Sequence, residues 1–250
     1  MTITRLLIRN LQYYRKSWLS ILAGTVLSTA VLTGALIVGD SVRYSLGRLA
    51  VTRLGKIHYS IQPGDRFFRQ QLAAELAGQT QGTVAAVLKL DGIAGNTDKN
   101  KQLNRVEVLG IDKQFLKLWD SAPQLPSEDE AIISKNTASK LDLHPGDEIL
   151  LKIRTQSKAS DNAPFVSQKE PLVAFRLKIA SIADDAQMGR FSLLTNQSAP
   201  YNIFVNQALL ARKVSLKSYA NLLLIADPVA GVLSVQKLDL LVRRCWQPED

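Results

Sequence analysis

The sequence predicts an α+β protein in which one apolar helix precedes an outer domain of alternating strands and helices. Three observations support this class. Residues 17–39 contain no charged side chain, an amphipathic stretch follows without an intervening proline, and the remaining chain alternates between strand-like and helix-like segments. Otherwise the composition is that of an ordinary globular protein, with 46% hydrophobic and 21% charged residues.

The uncharged run predicts a transmembrane helix over residues 17–39. It is 23 residues long, and about 20 apolar residues in a helix cross the hydrocarbon core of a bilayer. A cleavable signal peptide is one alternative. Its apolar region is shorter, about 7–15 residues, and Thr33-Gly34-Ala35 is a poor cleavage site. A buried helix of a soluble protein is the other alternative.

The flanks of the run predict its orientation. No acidic residue comes before Asp40. Because positive charge accumulates on the cytoplasmic side, we expect the amino terminus inside and the bulk of the chain outside. Arg43, Arg48 and Arg53 at the far end oppose this orientation. Four basic residues precede the run: Arg5, Arg9, Arg15 and Lys16.

Residues 1–16 are expected to form an amphipathic leader at the cytoplasmic membrane surface. Aromatic residues such as Trp18 are typical of a membrane–water interface, and basic side chains favour anionic lipids. The aromatic residues here are Tyr13, Tyr14 and Trp18, and the apolar face carries Leu6, Leu7, Leu11 and Tyr14.

Two pairs of small residues within the membrane run are candidates for helix packing. Gly24 and Ser28 are four residues apart, as are Ala30 and Gly34. Small residues at this spacing let a second helix approach closely in lipid.

Residues 40–56 are predicted to form an amphipathic stalk helix. Its apolar positions follow helical spacing and are candidates for contact with a partner: Val42, Leu46, Leu49 and Leu54. Asp40 or Ser41 caps a new helix, or one continuous helix runs through Gly39. In both arrangements some surface must cover the apolar stripe.

The outer region is predicted to contain a split α/β subdomain, 57–125 with 201–250, and an inserted mixed α/β subdomain, 126–200. The basis is a weak internal similarity between "HYSIQPGDRFFRQQLAAEL" and "LLLIADPVAGVLSVQKLDLLV", each a strand, an Asp/Pro turn and a helix. A loop is expected over 95–102 and a polar mobile segment over 155–170. Strands are expected over 57–62, 84–90, 105–111, 131–133, 148–154, 172–182 and 201–205, and helices over 66–76, 113–119, 135–141 and 207–212.

Charge and composition argue against nucleic-acid binding. The net charge is +9, but residues 1–50 carry six basic residues and one acidic, whereas residues 101–150 carry six basic and nine acidic. No Lys/Arg cluster with interleaved aromatic residues occurs. The basic excess is therefore assigned to the anionic lipids of the inner leaflet.

No catalytic, cofactor-binding or metal-ligating residues are predicted. His58 and His144 lack metal-ligand spacing, Cys245 has no arranged base, and no phosphate-binding loop motif is present. We therefore expect no cofactor and no enzymatic activity.

The order of several segments resembles the MacB/FtsX-like ABC transporter permeases of type VII. "LLIRNLQYYRKSWLSILAGTVLSTAVL" is similar to the first membrane helix of that family. "VEVLGIDKQFLKLW", "AIISKNTASKLDLHPGDEILLKI", "FRLKIASIADD" and "YNIFVNQALL" resemble segments of its periplasmic domain, in the family's order. The resemblance covers nearly the whole chain.

The resemblance implies a subunit of the bacterial inner membrane that couples a cytoplasmic ATPase to work on a periplasmic substrate or partner protein. An ABC ATPase and a second permease subunit are the implied partners. Family members carry three further membrane helices, so we expect this chain to be a fragment of a longer permease or the product of a split gene. The alternative is a stand-alone membrane-tethered binding module, and an anchored enzyme is the least favoured.

Overall fold

The computed structural model describes residues 3–64, 66–154, 172–194, 198–227 and 233–247. The chain forms two compact units, Met1–Ala50 and Val51–Asp250. The segment expected to be mobile, 155–170, lies outside the described residues. The predicted class, a long apolar helix followed by a mixed α and β domain, is confirmed.

The first unit is helical. Helix α1 spans Ile3–Tyr13 and helix α2 spans Arg15–Leu54, of which the last four residues belong to the second unit. Helical hydrogen bonding continues through Tyr14, which lies between the two helices. Its N–H donates to the Asn10 carbonyl and its own carbonyl accepts from Trp18 N, both at 3.0 Å. Among the described residues, α2 is the one helix long and apolar enough to cross a membrane.

Helix α2 passes through Gly39 without a break, so the continuous arrangement is the observed one. Asp40 and Ser41 lie inside the helix rather than at a cap. A single glycine costs a helix only about 1 kcal/mol, and no proline removes a backbone donor here.

The second unit is built around a large mixed sheet. The strands of this unit are β1 (Tyr59–Ile61), β2 (Phe68–Arg69), β3 (Thr83–Asn96), β4 (Lys101–Ile111), β5 (Glu130–Ser134), β6 (Glu148–Arg154), β7 (Leu172–Ala183), β8 (Asn202–Asn206), β9 (Tyr219–Ala220) and β10 (Leu222–Ala226). Strands β2 and β9 form a separate two-stranded sheet, and the other eight form the large sheet. Its helices are α3 (Gln71–Thr80), α4 (Lys113–Leu116), α5 (Lys135–Leu141), α6 (Gln207–Lys213) and α7 (Val235–Cys245).

Six strands of this sheet close into a ring. The strand order is β1-β10-β3-β4-β8-β5-β7-β6, and β6 pairs again with β3. Strand β3 is long enough to pair with β10 through residues 83–87 and with β6 through residues 92–95. A register shift between Gly92 and Ala94 accompanies the change of partner. A side chain at Gly92 would approach the Lys152 carbonyl oxygen to 3.0 Å, so the strands meet there through bare backbone.

Three core clusters stabilise this unit. The first combines alternate residues of β6 and β7, such as Leu151 and Leu177, with α5 and α6. The second lies around α4, and the third joins α3 and α7 to β10. The two similar segments noted in the sequence are neighbours, because β1 pairs antiparallel with β10 and α3 contacts α7.

Some predicted elements differ from the observed ones. The helix expected over 66–76 begins only at Gln71, because Phe68 is fully buried and residues 68–69 pair with β9, which was not predicted. The loop expected over 95–102 is a tight turn, since Gly95 and Asn96 still pair with β4. Strand 57–62 shortens to β1, and helix 113–119 ends at Leu116. The ring contains strands from both predicted subdomains, and the division at residues 126 and 200 stays a prediction.

Candidate functional site

The candidate site is the seat of the stalk helix, defined as the last turn of α2 (Val51–Leu54), Gly55–Ile57 and the residues they contact in the second unit. Gly55 has φ +55°, and its N–H still donates to the Val51 carbonyl at 2.9 Å. A left-handed glycine is a common end to a helix, because an L side chain is strained in this conformation. The stalk therefore ends at a defined residue rather than fraying into a linker.

The backbone after the helix lies directly on the turn that follows α4. Lys56 N donates to the Leu118 carbonyl at 2.9 Å. A Cβ atom on Gly55 would lie 2.6 Å from that carbonyl oxygen and 2.9 Å from Trp119 Nε1. Lys56 also pairs with the exposed carboxylate of Asp120. The chain passes so close to this turn that only glycine fits.

An aromatic cluster supports the seat from below. The ring of Phe115 lies 4.8 Å from Trp119, 5.6 Å from Phe191 and 6.0 Å from Phe204, measured between centroids. The four rings belong to one buried core cluster, of which Ile57 is also a member and against which Leu54 packs. Aromatic pairs at these separations stabilise a core by about 0.5–1.5 kcal/mol each beyond the burial of their area. The helix end thus rests on a densely packed surface.

Asp112 fixes the position of α4 within this seat. It is the N-cap of α4, and its Oδ1 accepts from Phe115 N at 2.9 Å. Burial raises the pKa of Asp112 above its ordinary value of 3.8, and hydrogen bonds from backbone N–H groups partly oppose this effect. The cap therefore holds Phe115 in place at some desolvation cost when the carboxyl group is ionised.

The four stalk residues predicted as contacts fall into two groups. Leu54 is occupied by the seat. Val42 and Leu46 keep 52% and 51% of their surface exposed, and Leu49 is half-buried. At 100° per residue, Val42, Leu46 and Leu49 lie within about 60° of one another. Leu54 lies about 80° from Leu46 and farther from the other two. Contact of Val42, Leu46 and Leu49 with a partner stays a prediction.

The small residues of the membrane run lie on two faces rather than one. Gly24, Ser28, Ala30 and Gly34 are all exposed. By helical spacing, Ala30 and Gly34 lie about 80° to 160° around the helix from Gly24 and Ser28. Because α2 is continuous, Gly24 and Ser28 share a face with Val42, Leu46 and Leu49. We call this the small-residue face.

Sequence reasoning missed Gly55 and Trp119 as parts of the site. The available signal was a glycine directly after an amphipathic helical stretch, which is a helix-end pattern. Nothing local in the sequence indicates that Trp119 lies beneath that glycine, because 64 positions separate the two residues.

The residues considered for chemistry lie apart. His58 Nδ1 accepts from Asp227 N at 3.2 Å, and His144 is exposed beside Asp147. Cys245 is buried and its Sγ accepts from Gln79 Nε2 at 3.3 Å. Within the described ranges, no three His, Cys, Asp or Glu side chains are grouped so that they could hold a metal ion.

The second unit also carries an open groove of about 740 Å³ beside α3 and α4, with both polar and apolar side chains in its lining. The carboxyl group of Asp112 lines it together with amide and cationic side chains. These are Gln70, Gln71, Gln114, Arg69 and Lys117. The groove therefore offers hydrogen-bond donors and acceptors.

Twenty-five chains of solved structures are similar to this chain. No family model matches the chain, and no curated protein matches its sequence. The chain is similar to the periplasmic region of MacB from Actinobacillus actinomycetemcomitans, at 11% identity and a TM-score of 0.44, covering 74% of this chain and 73% of that one. It is also similar to the extracellular domain of the noncanonic ABC-type transporter YknZ from Gram-positive bacteria, at 13% identity and a TM-score of 0.42, covering 70% of this chain and 78% of that one.

Proposed function

We propose that this chain is the membrane-anchored part of a MacB/FtsX-like ABC transporter permease and that helix α2 couples movement in the membrane to the outer domain. The observation that carries the proposal is one uninterrupted helix that contains the apolar run and ends on a closely packed seat. A cytoplasmic ATPase supplies the movement, and a periplasmic substrate or partner protein receives it.

The dimensions of α2 fit this role. Its 40 residues correspond to about 60 Å, about twice the hydrocarbon thickness of about 30 Å. Part of the helix therefore extends beyond the bilayer, and its hydrogen-bond ladder makes that part a stiff rod. A flexible linker would absorb an axial displacement, whereas a helix seated on Leu118 and Trp119 passes it on.

The basic leader favours a cytoplasmic amino terminus in the inner membrane. Two permease subunits then meet through the small-residue face. Gly24 and Ser28 allow a close approach within lipid, and Val42, Leu46 and Leu49 continue the same face outside it. One partner helix can cover the whole face because α2 does not bend away at Gly39.

Site-directed crosslinking in the native membrane tests the proposal. The chain has one cysteine, Cys245, which is first replaced by serine. A cysteine at Leu46 is then expected to crosslink to a partner helix, with a yield that changes with the nucleotide bound to the ATPase. Tyr44 is 68% exposed, and its position about 160° from Leu46 makes Y44C the matched control. Equal solvent labelling of both cysteines in every nucleotide state would contradict the coupling role.

The open groove beside α3 and α4 favours a second candidate function, that of a membrane-tethered binding module without transport. The two functions differ in their need for a stiff stalk. Replacing residues 43–48 with a Gly/Ser linker of the same length should abolish coupling if α2 transmits force. A tethered module should keep its binding after the same replacement, because a flexible tether serves it equally well.

A further inference from the structure

A groove of about 510 Å³ runs along one side of the membrane helix, and neither the coupling role nor the small-residue face uses it. Its walls are almost entirely apolar. Leu11, Trp18, Leu22, Val26 and Thr29 line it, and Arg15 lines it between Leu11 and Trp18. All of these residues belong to the first unit.

The part of the groove from Trp18 to Thr29 matches one leaflet of a bilayer in length, and the groove continues to Leu11 on the amino-terminal side. Trp18 to Thr29 spans 11 residues, or about 16 Å of helix, and half of the hydrocarbon core is about 15 Å. Thr29 lies near the middle of the uncharged run, 17–39. A single acyl chain from the leaflet on the Trp18 side would therefore fit from the interface to the bilayer midplane.

The polar groups within the groove require no partner helix. Thr25 Oγ1 donates to the Ile21 carbonyl at 2.8 Å, and Thr29 Oγ1 donates to the Thr25 carbonyl at 2.5 Å. Both hydroxyl groups are thus satisfied within α2. The remaining wall consists of bulky side chains, whereas helix–helix contacts in membranes favour small residues. These properties favour lipid over a protein helix as the occupant.

Arg15 supplies the polar end of the site. If Trp18 is placed at the membrane–water interface, which its indole ring prefers, Arg15 falls at the level of the headgroups, because it precedes Trp18 by three residues. The chain contains no Asp or Glu before Asp40, so no carboxylate in this stretch competes for Arg15. A phosphate group is the complementary ligand, because a guanidinium group can bind it through two parallel hydrogen bonds.

We propose that this groove binds one anionic glycerophospholipid, with an acyl chain along Leu22, Val26 and Thr29 and the phosphate at Arg15. This lipid site rests on the membrane span and is independent of force coupling through the stalk. Its role is to fix the depth and the rotation of α2, so that the small-residue face points away from the bound lipid.

Quenching by brominated lipids tests the site. The full chain is reconstituted in phosphatidylcholine vesicles containing a small fraction of either brominated phosphatidylglycerol or brominated phosphatidylcholine. Trp18 fluorescence, corrected with a W18F variant, should be quenched far more by the anionic lipid at equal mole fraction. R15A should weaken this preference by more than the roughly fivefold effect of losing any one basic side chain at a membrane surface, because it also removes the phosphate ligand of the groove.

Lys16 provides the matched control. It carries the same charge at the same depth, about 100° around the helix from Arg15 and outside the groove. K16A should lower the preference for the anionic lipid by no more than that general effect of about fivefold. Filling the groove with L22W in a W18F background should exclude lipid from the groove, so that a photoactivatable phosphatidylglycerol no longer labels Val26 and Thr29.

Three results would overturn the lipid site: equal quenching by both brominated lipids, equal losses for R15A and K16A, or crosslinks from Val26 to a second protein helix. Protease protection of the leader in the same vesicles reports the span separately. If the span is intact and the lipid preference is absent, the lipid site fails while the proposed coupling function remains.

Discussion

Gly55 is the residue through which the stalk helix meets the outer domain, and we predict that G55A destabilises the second unit by about 2–4 kcal/mol. An alanine there is strained by the positive φ, by about 1–2 kcal/mol, and must also displace the Leu118 carbonyl. Urea unfolding monitored by near-UV circular dichroism measures the change. G146A is the control, because Gly146 has φ +98° but no neighbour within 4 Å of its Cβ position. If the two variants are equally destabilised, the close approach at Gly55 contributes nothing.

The raised pKa of Asp112 predicts that the folding stability of the second unit depends on pH. Burial raises the pKa of Asp112, so the protonated form is favoured by folding. The stability that Asp112 contributes is full below its ordinary value of 3.8 and is lost as the pH rises through the raised pKa. D112N keeps a capping oxygen without the charge. We expect D112N to be at least as stable as the native chain near pH 7 and the difference to vanish near pH 3.

Comparison of D112A with D112N separates the stability that comes from the capping hydrogen bond from the effect of the negative charge. D112A removes the acceptor of Phe115 N, and N-cap loss costs about 1 kcal/mol. We therefore expect D112A to be less stable than D112N at every pH, in urea titrations across the same range. A D112N variant that loses as much stability as D112A would show that ionised Asp112 is favourable in its site.

At the scale of elements, the turn between β3 and β4 is held against the end of α5 by a buried side chain. Asn96 Nδ2 donates to the Leu141 carbonyl at 3.1 Å, and its Oδ1 accepts from Asp98 N at 3.1 Å. We predict that N96A costs about 1–3 kcal/mol, because it removes the side-chain donor to the buried Leu141 carbonyl. Asn104 in the same hairpin is exposed, and N104A should cost less than about 0.5 kcal/mol. Equal urea midpoints for the two variants would refute this role.

The β3–β4 hairpin and its neighbours α5 and β6 show how far elements can be predicted from local pattern. The helix over 135–141 and the strand over 148–154 agree with α5 and β6 at both ends, because apolar periodicity and the Pro145-Gly146 turn delimit them. The strand predicted over 84–90 stops six residues before β3 ends at Asn96, because Asp91, Gly92 and Gly95 belong to residue types that are depleted in strands. Pairing with β4 on one side and β6 on the other overrides that local preference.

At the scale of the whole molecule, the membrane helix was predictable and the seat was not. An uncharged run of 23 residues is a property of neighbouring positions. The closed ring depends on β6 returning to β3, and the seat depends on Gly55 meeting Leu118. Such contacts join distant segments that carry no shared pattern, so they are decided by packing of the complete domain rather than by propensity.

The division into two units predicts that the outer unit folds without the membrane helix. A chain that begins at Val51 keeps Leu54, Gly55 and Ile57 on the seat. Its unfolding free energy should stay within about 0.5 kcal/mol of that of the longer chain, as expected for independent parts. A chain that begins at His58 also loses Leu54 and Ile57. Burial of each such side chain contributes about 1.5–3 kcal/mol when complete, so we expect a clear loss of stability.

Urea unfolding of the two shortened chains, with the full chain in detergent as reference, distinguishes the possibilities. If both shortened chains match the full chain, the seat adds no stability, and the helix end rests on the domain without being held there. If the chain from Val51 is already destabilised, residues before Val51 support the outer unit. Only an intact chain from Val51 and a weakened chain from His58 agree with a stalk held by its last turn, the condition for it to transmit force.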